Sequence, residues 1–163
     1  MRRQLTAFGA RDRWYFRCWC SVRNWFEALQ ARTQQDYPES LRRNIIAYNH
    51  PVLRAIMSSY LHQIEHAVRR DDVVSVNHRV AALLASYFDI LFALNRVMHP
   101  GEKRLLAFAH SECTLLPMGM DADIAAVLVA GGTASAEVVV QLNRLLDRLD
   151  ELLAGAGFDP GVS

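Results

Sequence analysis

From Val80 to Leu94 the chain is apolar or aromatic at every position but Ser86 and Asp89. It then meets a stop, Asn95-Arg96-Val97-Met98-His99-Pro100-Gly101. Pro disfavours helix at the residue before it and Gly readily supplies a turn, so a helix that is greasy around nearly its whole circumference must end here. Such a helix needs cover on every side, which predicts that it runs through the middle of a helical bundle. Asn95, Arg96, Glu102, Lys103 and Arg104 are thereby gathered at one end of the fold.

The remaining chain agrees with an all-α bundle. No alternating strand pattern holds anywhere, whereas apolar residues recur at spacings of three and four through most of the length. The spacing predicts a first helix over about residues 11–35, rich in Trp14, Phe16, Trp25 and Phe26, whose bulk reads as core or interface packing. Tyr37-Pro38-Glu39 opens a second, with Pro at the first turn and Glu at the positive end of the dipole, and Asn49-His50-Pro51 closes it. A third is expected over about 51–70, placing Leu53, Ile56, Met57, Leu61 and Ile64 on one face. Asp71-Asp72 can cap the long helix that follows, which should reach about residue 97. Further helices are expected over about 102–115, 122–130 with Asp121 as cap, and 135–154, where Val139, Leu142, Leu146, Leu149 and Leu153 repeat. Six or seven helices in one domain spanning residues 1–163 is the predicted architecture.

A chain of 163 residues with 52% hydrophobic and 21% charged residues can bury a real core and lies far from the composition of disorder. Three cysteines in no regular spacing argue against a disulfide framework and for a reducing compartment. The first residues lack the apolar run of a secretory signal, and the most apolar stretch is shorter than the ~20 residues that span a bilayer. A cytoplasmic protein without membrane contact is expected. Net charge is +1, but residues 1–80 hold thirteen Arg/Lys against seven Asp/Glu, and the remainder five against ten. In a bundle the two halves interleave, so this asymmetry does not point to a nucleic-acid partner.

Candidate chemistry is sparse. His62-Gln63-Ile64-Glu65-His66 has the H-x-x-E-H form in which two imidazoles one turn apart hold zinc and the carboxylate acts as base, but a third ligand cannot be located and a wet helix face gives the same string. No metal site is assigned. Arg43 with His50, and Arg104 with His110, resemble the Arg-to-His spacing of HEPN ribonucleases, small helical bundles in which the two side chains converge on a phosphate and a ribose hydroxyl. A HEPN-like nuclease or toxin-type bundle is therefore the alternative reading. A stand-alone module that forms homodimers through its aromatic first helix is another. Asp89 reads either as a structural partner or as an acid facing a cleft and suited to a cationic group. No Gly-Ser turn followed by closely spaced carboxylates is present, so no nucleotidyl-transfer engine is visible and no catalytic residue is assigned.

The corner Leu94-Asn95 to Pro100-Gly101-Glu102-Lys103, preceded by Tyr87-Phe88-Asp89-Ile90-Leu91-Phe92 and by Tyr37-Pro38, resembles the DUF4037 domain. That is the helical region found after the nucleotidyltransferase domain in bacterial proteins similar in plan to aminoglycoside nucleotidyltransferases. The resemblance covers about residues 37–130. It implies a non-catalytic helical substrate-binding or accessory domain, with Mg²⁺ and nucleotide held only by a separate catalytic domain and no cofactor in this chain. The partner it implies is that catalytic domain or a small-molecule substrate. Asn95, Glu102 and Lys103 match its motif. Arg104 joins them because a helix start with exposed amides and positive side chains suits phosphate, while Glu102 and Asp89 suit a cationic substrate group.

Overall fold

The structure, a computed structural model, describes Trp25 and residues 37–158. Trp25 is helical and exposed; the rest of the expected first helix lies outside the described residues. From residue 37 onward the described chain is all-helical, with α1 (Glu39–His50), a π-helical turn (Pro51–Ala55), α2 (Tyr60–Val68), α3 (Val73–Leu94), α4 (Leu105–Glu112), α5 (Met120–Gly131) and α6 (Glu137–Gly155). No helix among the described residues is long and apolar enough to cross a membrane.

The long helix α3 lies at the centre, as its all-round hydrophobicity demands. Leu83, Tyr87, Ile90, Leu91, Phe92 and Leu94 are almost wholly buried. On it pack α1, α2 and α5, while α6 covers α5 and touches α2. Asp72 caps α3 by accepting the Ser75 N–H at 3.0 Å, satisfying one of the orphan donors of the first turn. The amphipathic α6 buries Leu142, Leu145, Leu146, Leu149 and Leu153 and turns Arg144, Asp147 and Glu151 outward.

The segment 51–70 departs from expectation. Pro51 has no N–H to continue the α1 ladder, and the backbone widens into a π turn closed by Ile56 N–H to the Pro51 carbonyl at 3.2 Å. Ile56 is then extended, Ser59 caps α2 by accepting the His62 N–H, and the helix restarts at Tyr60. Leu53, Leu61 and Ile64 are buried as expected, but Ile56 and Met57 fall in the break and face solvent, Met57 at 92% exposure. The helix expected from 102 starts only at Leu105, because Gly101 and Arg104 both sit in the left-handed region, which ends any helical run. Gly119, not Asp121, occupies the cap position of α5; Asp121 lies in its first turn.

Candidate functional site

Two long-range anchors shape the corner between α3 and α4. Arg42, buried on α1, donates from Nε to the Leu94 carbonyl at 3.2 Å, which places a cation against the negative end of α3. Glu39 accepts from Arg42 and from Arg96, each at 3.0 Å, so α1 grips the first left-handed residue of the corner as well as the helix end. Asn95 is the second anchor. Its Nδ2 donates to the carbonyls of Leu91 and Leu115, and its Oδ1 accepts the N–H groups of Thr114 and Leu115.

The predicted residues therefore separate. Asn95 turns to the loop after α4. Glu102 is exposed on the corner. Lys103 and Arg104 line a surface hollow of about 390 Å³ together with Ala107, Phe108 and Ser111, and neither makes an ion pair among the described residues. Asp89 does not line this hollow; its side chain is 45% exposed, with Oδ1 3.8 Å from His99 Nε2. The Gly101 N–H donates to His99 Nδ1 at 3.0 Å, so the neutral ring carries its proton on Nε2, the nitrogen that faces Asp89. Tyr37 belongs to the same neighbourhood: burial, and then the charge of Asp89, raises its phenol above the ordinary tyrosine value.

One buried ring joins the two groups. Phe92 meets the His99 ring edge-on at a centroid distance of 5.1 Å and Phe108 at 5.6 Å. Through this ring His99, which faces Asp89, is linked to Phe108, which lines the hollow with Lys103, Arg104 and Ser111. The hollow thus presents two cations, a phenyl ring and a hydroxyl, a set that suits an anionic group.

This chain belongs to the DUF4037 family. The family, described as "Domain of unknown function (DUF4037)", matches residues 17–105, more than half of the chain. The match begins before the expected residue 37 and ends at the start of α4, well short of the expected 130, and the corner up to Arg104 lies inside it. No curated protein and no solved structure matches the chain.

The remaining motifs of this DUF4037 chain are engaged locally. The His62 backbone N–H is bonded to Ser59, and the His66 Nδ1 accepts from Arg69 at 2.9 Å. No three His, Cys, Asp or Glu side chains gather in metal-binding geometry among the described residues. Arg43 is exposed and pairs with Glu39, whereas His50 is nearly buried and donates to Asp150 at 2.6 Å, so these two side chains have different partners. His110 bonds Asp121 at 2.8 Å, away from the hollow that Arg104 lines. Sequence reasoning passed over His99, Phe108 and Tyr37. His99 was legible only as part of a stop, and Phe108 only as one more apolar residue at helical spacing.

Proposed function

We propose that this DUF4037 chain is a helical substrate-binding or accessory module of a nucleotidyltransferase-like protein, not itself catalytic, working beside a separate catalytic domain that holds Mg²⁺ and nucleotide. The observation that carries this reading is the pair Lys103 and Arg104 over the Phe108 hollow. Both charges are free of ion pairs among the described residues and face solvent, whereas Arg42 and Arg96 at the end of α3 are tied to Glu39. Unneutralised cations beside a concave aromatic surface attract phosphate, and the left-handed backbone of Arg104 is the kind of strain that persists where a side chain must be aimed. Asp89, half-exposed beside His99, offers a carboxylate to an amine-bearing substrate. The cytoplasm is the compartment that suits three irregularly spaced cysteines.

The test is a titration of the full chain with inorganic tripolyphosphate, following backbone amide shifts. Shifts confined to residues 103–111, with a Kd of about 1 mM or tighter, are expected, together with a loss of about tenfold or more in Lys103→Glu and Arg104→Glu. Shifts elsewhere, or an affinity untouched by both charge reversals, would refute the site.

A further inference from the structure

We infer that the chain pairs with a second copy of itself through the outer face of α5 and α6, in an antiparallel contact centred between Val140 and Gln141. This goes beyond the proposed function and uses no residue of the corner. Residues 124–136 carry no charged side chain, although α5 lies at the surface of the bundle. Leu128 is 54% exposed, Val129 78% and, on the neighbouring helix, Val140 59%. A surface helix ordinarily turns polar residues outward, and a contiguous apolar face across two helices marks an interface.

Shape and charge both select a second copy as the occupant. A hollow of about 550 Å³, lined by Val129 with its small neighbours Ala125, Ala126 and Ala130 and by Glu137 and Gln141 of α6, opens on the same two helices that carry the exposed Leu128 and Val140. Knob and hollow on one face are what a two-fold contact requires, since each copy must supply both halves of the fit. On the outward stripe of α6, Glu137 and Arg144 stand seven residues apart, about 10 Å along the axis, with Val140 and Gln141 midway. Laid antiparallel about that midpoint, Glu137 meets the partner's Arg144, Val140 meets the partner's Gln141, and the two-fold repeats both pairs on the other side of the axis. A parallel copy would set Glu137 against the partner's Glu137 instead. Arg144 donates from Nε to the buried Asp123 at 2.8 Å, yet its side chain remains 48% exposed.

Light scattering on the full chain across concentration is the experiment. At about 100 µM, well above a micromolar Kd, wild type should scatter at twice the 18.5 kDa of one chain. Glu137→Arg brings arginine onto the partner's Arg144 and should weaken the dimer about tenfold or more, and Val140→Asp, which sets two carboxylates close together at the two-fold axis, should leave only monomer. Both side chains are exposed in the single chain, so the variants should keep their helix content, which circular dichroism checks. A monomeric wild type overturns the inference. So does a dimer that both variants leave intact, and a dimer unaffected by Glu137→Arg but broken by Val140→Asp overturns the antiparallel register.

Discussion

Asn95 and Leu115 hydrogen-bond to each other twice: the Leu115 N–H donates to Asn95 Oδ1 at 2.8 Å, and Asn95 Nδ2 donates to the Leu115 carbonyl at 2.9 Å. With Thr114 N–H on the same oxygen and the Leu91 carbonyl on the same nitrogen, both lone pairs and both protons of the amide are used. The side chain is a staple between the end of α3 and the loop after α4, and it holds the floor of the corner rather than offering a free group to it.

Asn95→Ala removes all four bonds and is expected to destabilise the chain by about 1–3 kcal/mol, the exposed amides of Thr114 and Leu115 recovering part of the loss from water. Asn95→Asp keeps the acceptor side of the staple and loses the donor side, so its cost should fall between wild type and alanine. Urea unfolding midpoints of the three proteins check the order.

A second tie crosses a hundred residues. His50 donates to Asp150 at 2.6 Å, and Arg54 grips both Asp150 and Asp147, fastening the π turn to α6. Burial pushes the Asp150 carboxyl up, but hydrogen bonds from His50 and Arg54, reinforced by their charge, outweigh it and hold the group below its ordinary value. The unfolded chain therefore binds this proton more readily than the folded one. The tie's contribution is complete above the unfolded carboxylate value of about 4 and is lost as pH falls through the lower folded value. Asp150→Asn should cost about 1–3 kcal/mol at neutral pH, and the gap to wild type should close on acidification below that value. Urea unfolding of both proteins at several pH values measures it.

What the sequence made legible was much of what is written locally. The apolar α3, its Asp72 cap, the Pro51 stop and the leucine stripe of α6 depend on residues within a turn or two of one another, so period and punctuation reveal them. The break at Ile56 to Ser59 was hidden because Ile56 and Met57 fit a helical spacing as well as the buried Leu53 and Leu61 do; only Pro51's missing N–H hinted at it. Pairings such as His50 with Asp150, Arg42 with Leu94 and Asp89 with His99 are set by which helix faces meet, and no spacing encodes them. Of the corner, the sequence located the place and its charges. It did not distinguish Asn95, which is spent on structure, from Lys103 and Arg104, which face the hollow.

Tyr87 is wholly buried on α3, and its hydroxyl has no hydrogen-bond partner among the described residues. Burial, followed by the charges of Asp123 and Asp121, raises its pKa far above that of ordinary tyrosine. An unpaired buried hydroxyl costs about 1–3 kcal/mol of desolvation, so Tyr87→Phe should stabilise the chain by about 0.5–2 kcal/mol while keeping the ring's edge contact with Phe88. A lower melting temperature in Tyr87→Phe would show that the hydroxyl is satisfied after all.

Gly119 and Arg148 should prove energetically coupled. Gly119 opens α5 at φ +71°, and a Cβ placed there would run into the Arg148 guanidinium. That guanidinium donates to the Met118 carbonyl at 2.9 Å and to Asp123 at 2.5 Å, and Asp123 is buried almost completely. Gly119→Ala therefore carries two costs, about 1 kcal/mol for a left-handed alanine and a further share from driving Arg148 off a buried carboxylate, a contact whose complete loss costs about 3–5 kcal/mol. Arg144 still holds Asp123, which keeps the second cost below that limit. In an Arg148→Ala background the steric part is already gone, so the same glycine substitution should cost only the backbone part. A double-mutant cycle read by urea unfolding should thus give a coupling of about 1–3 kcal/mol, and a coupling under about 0.5 kcal/mol would mean that Arg148 moves aside freely and that Gly119 is required for its backbone angle alone.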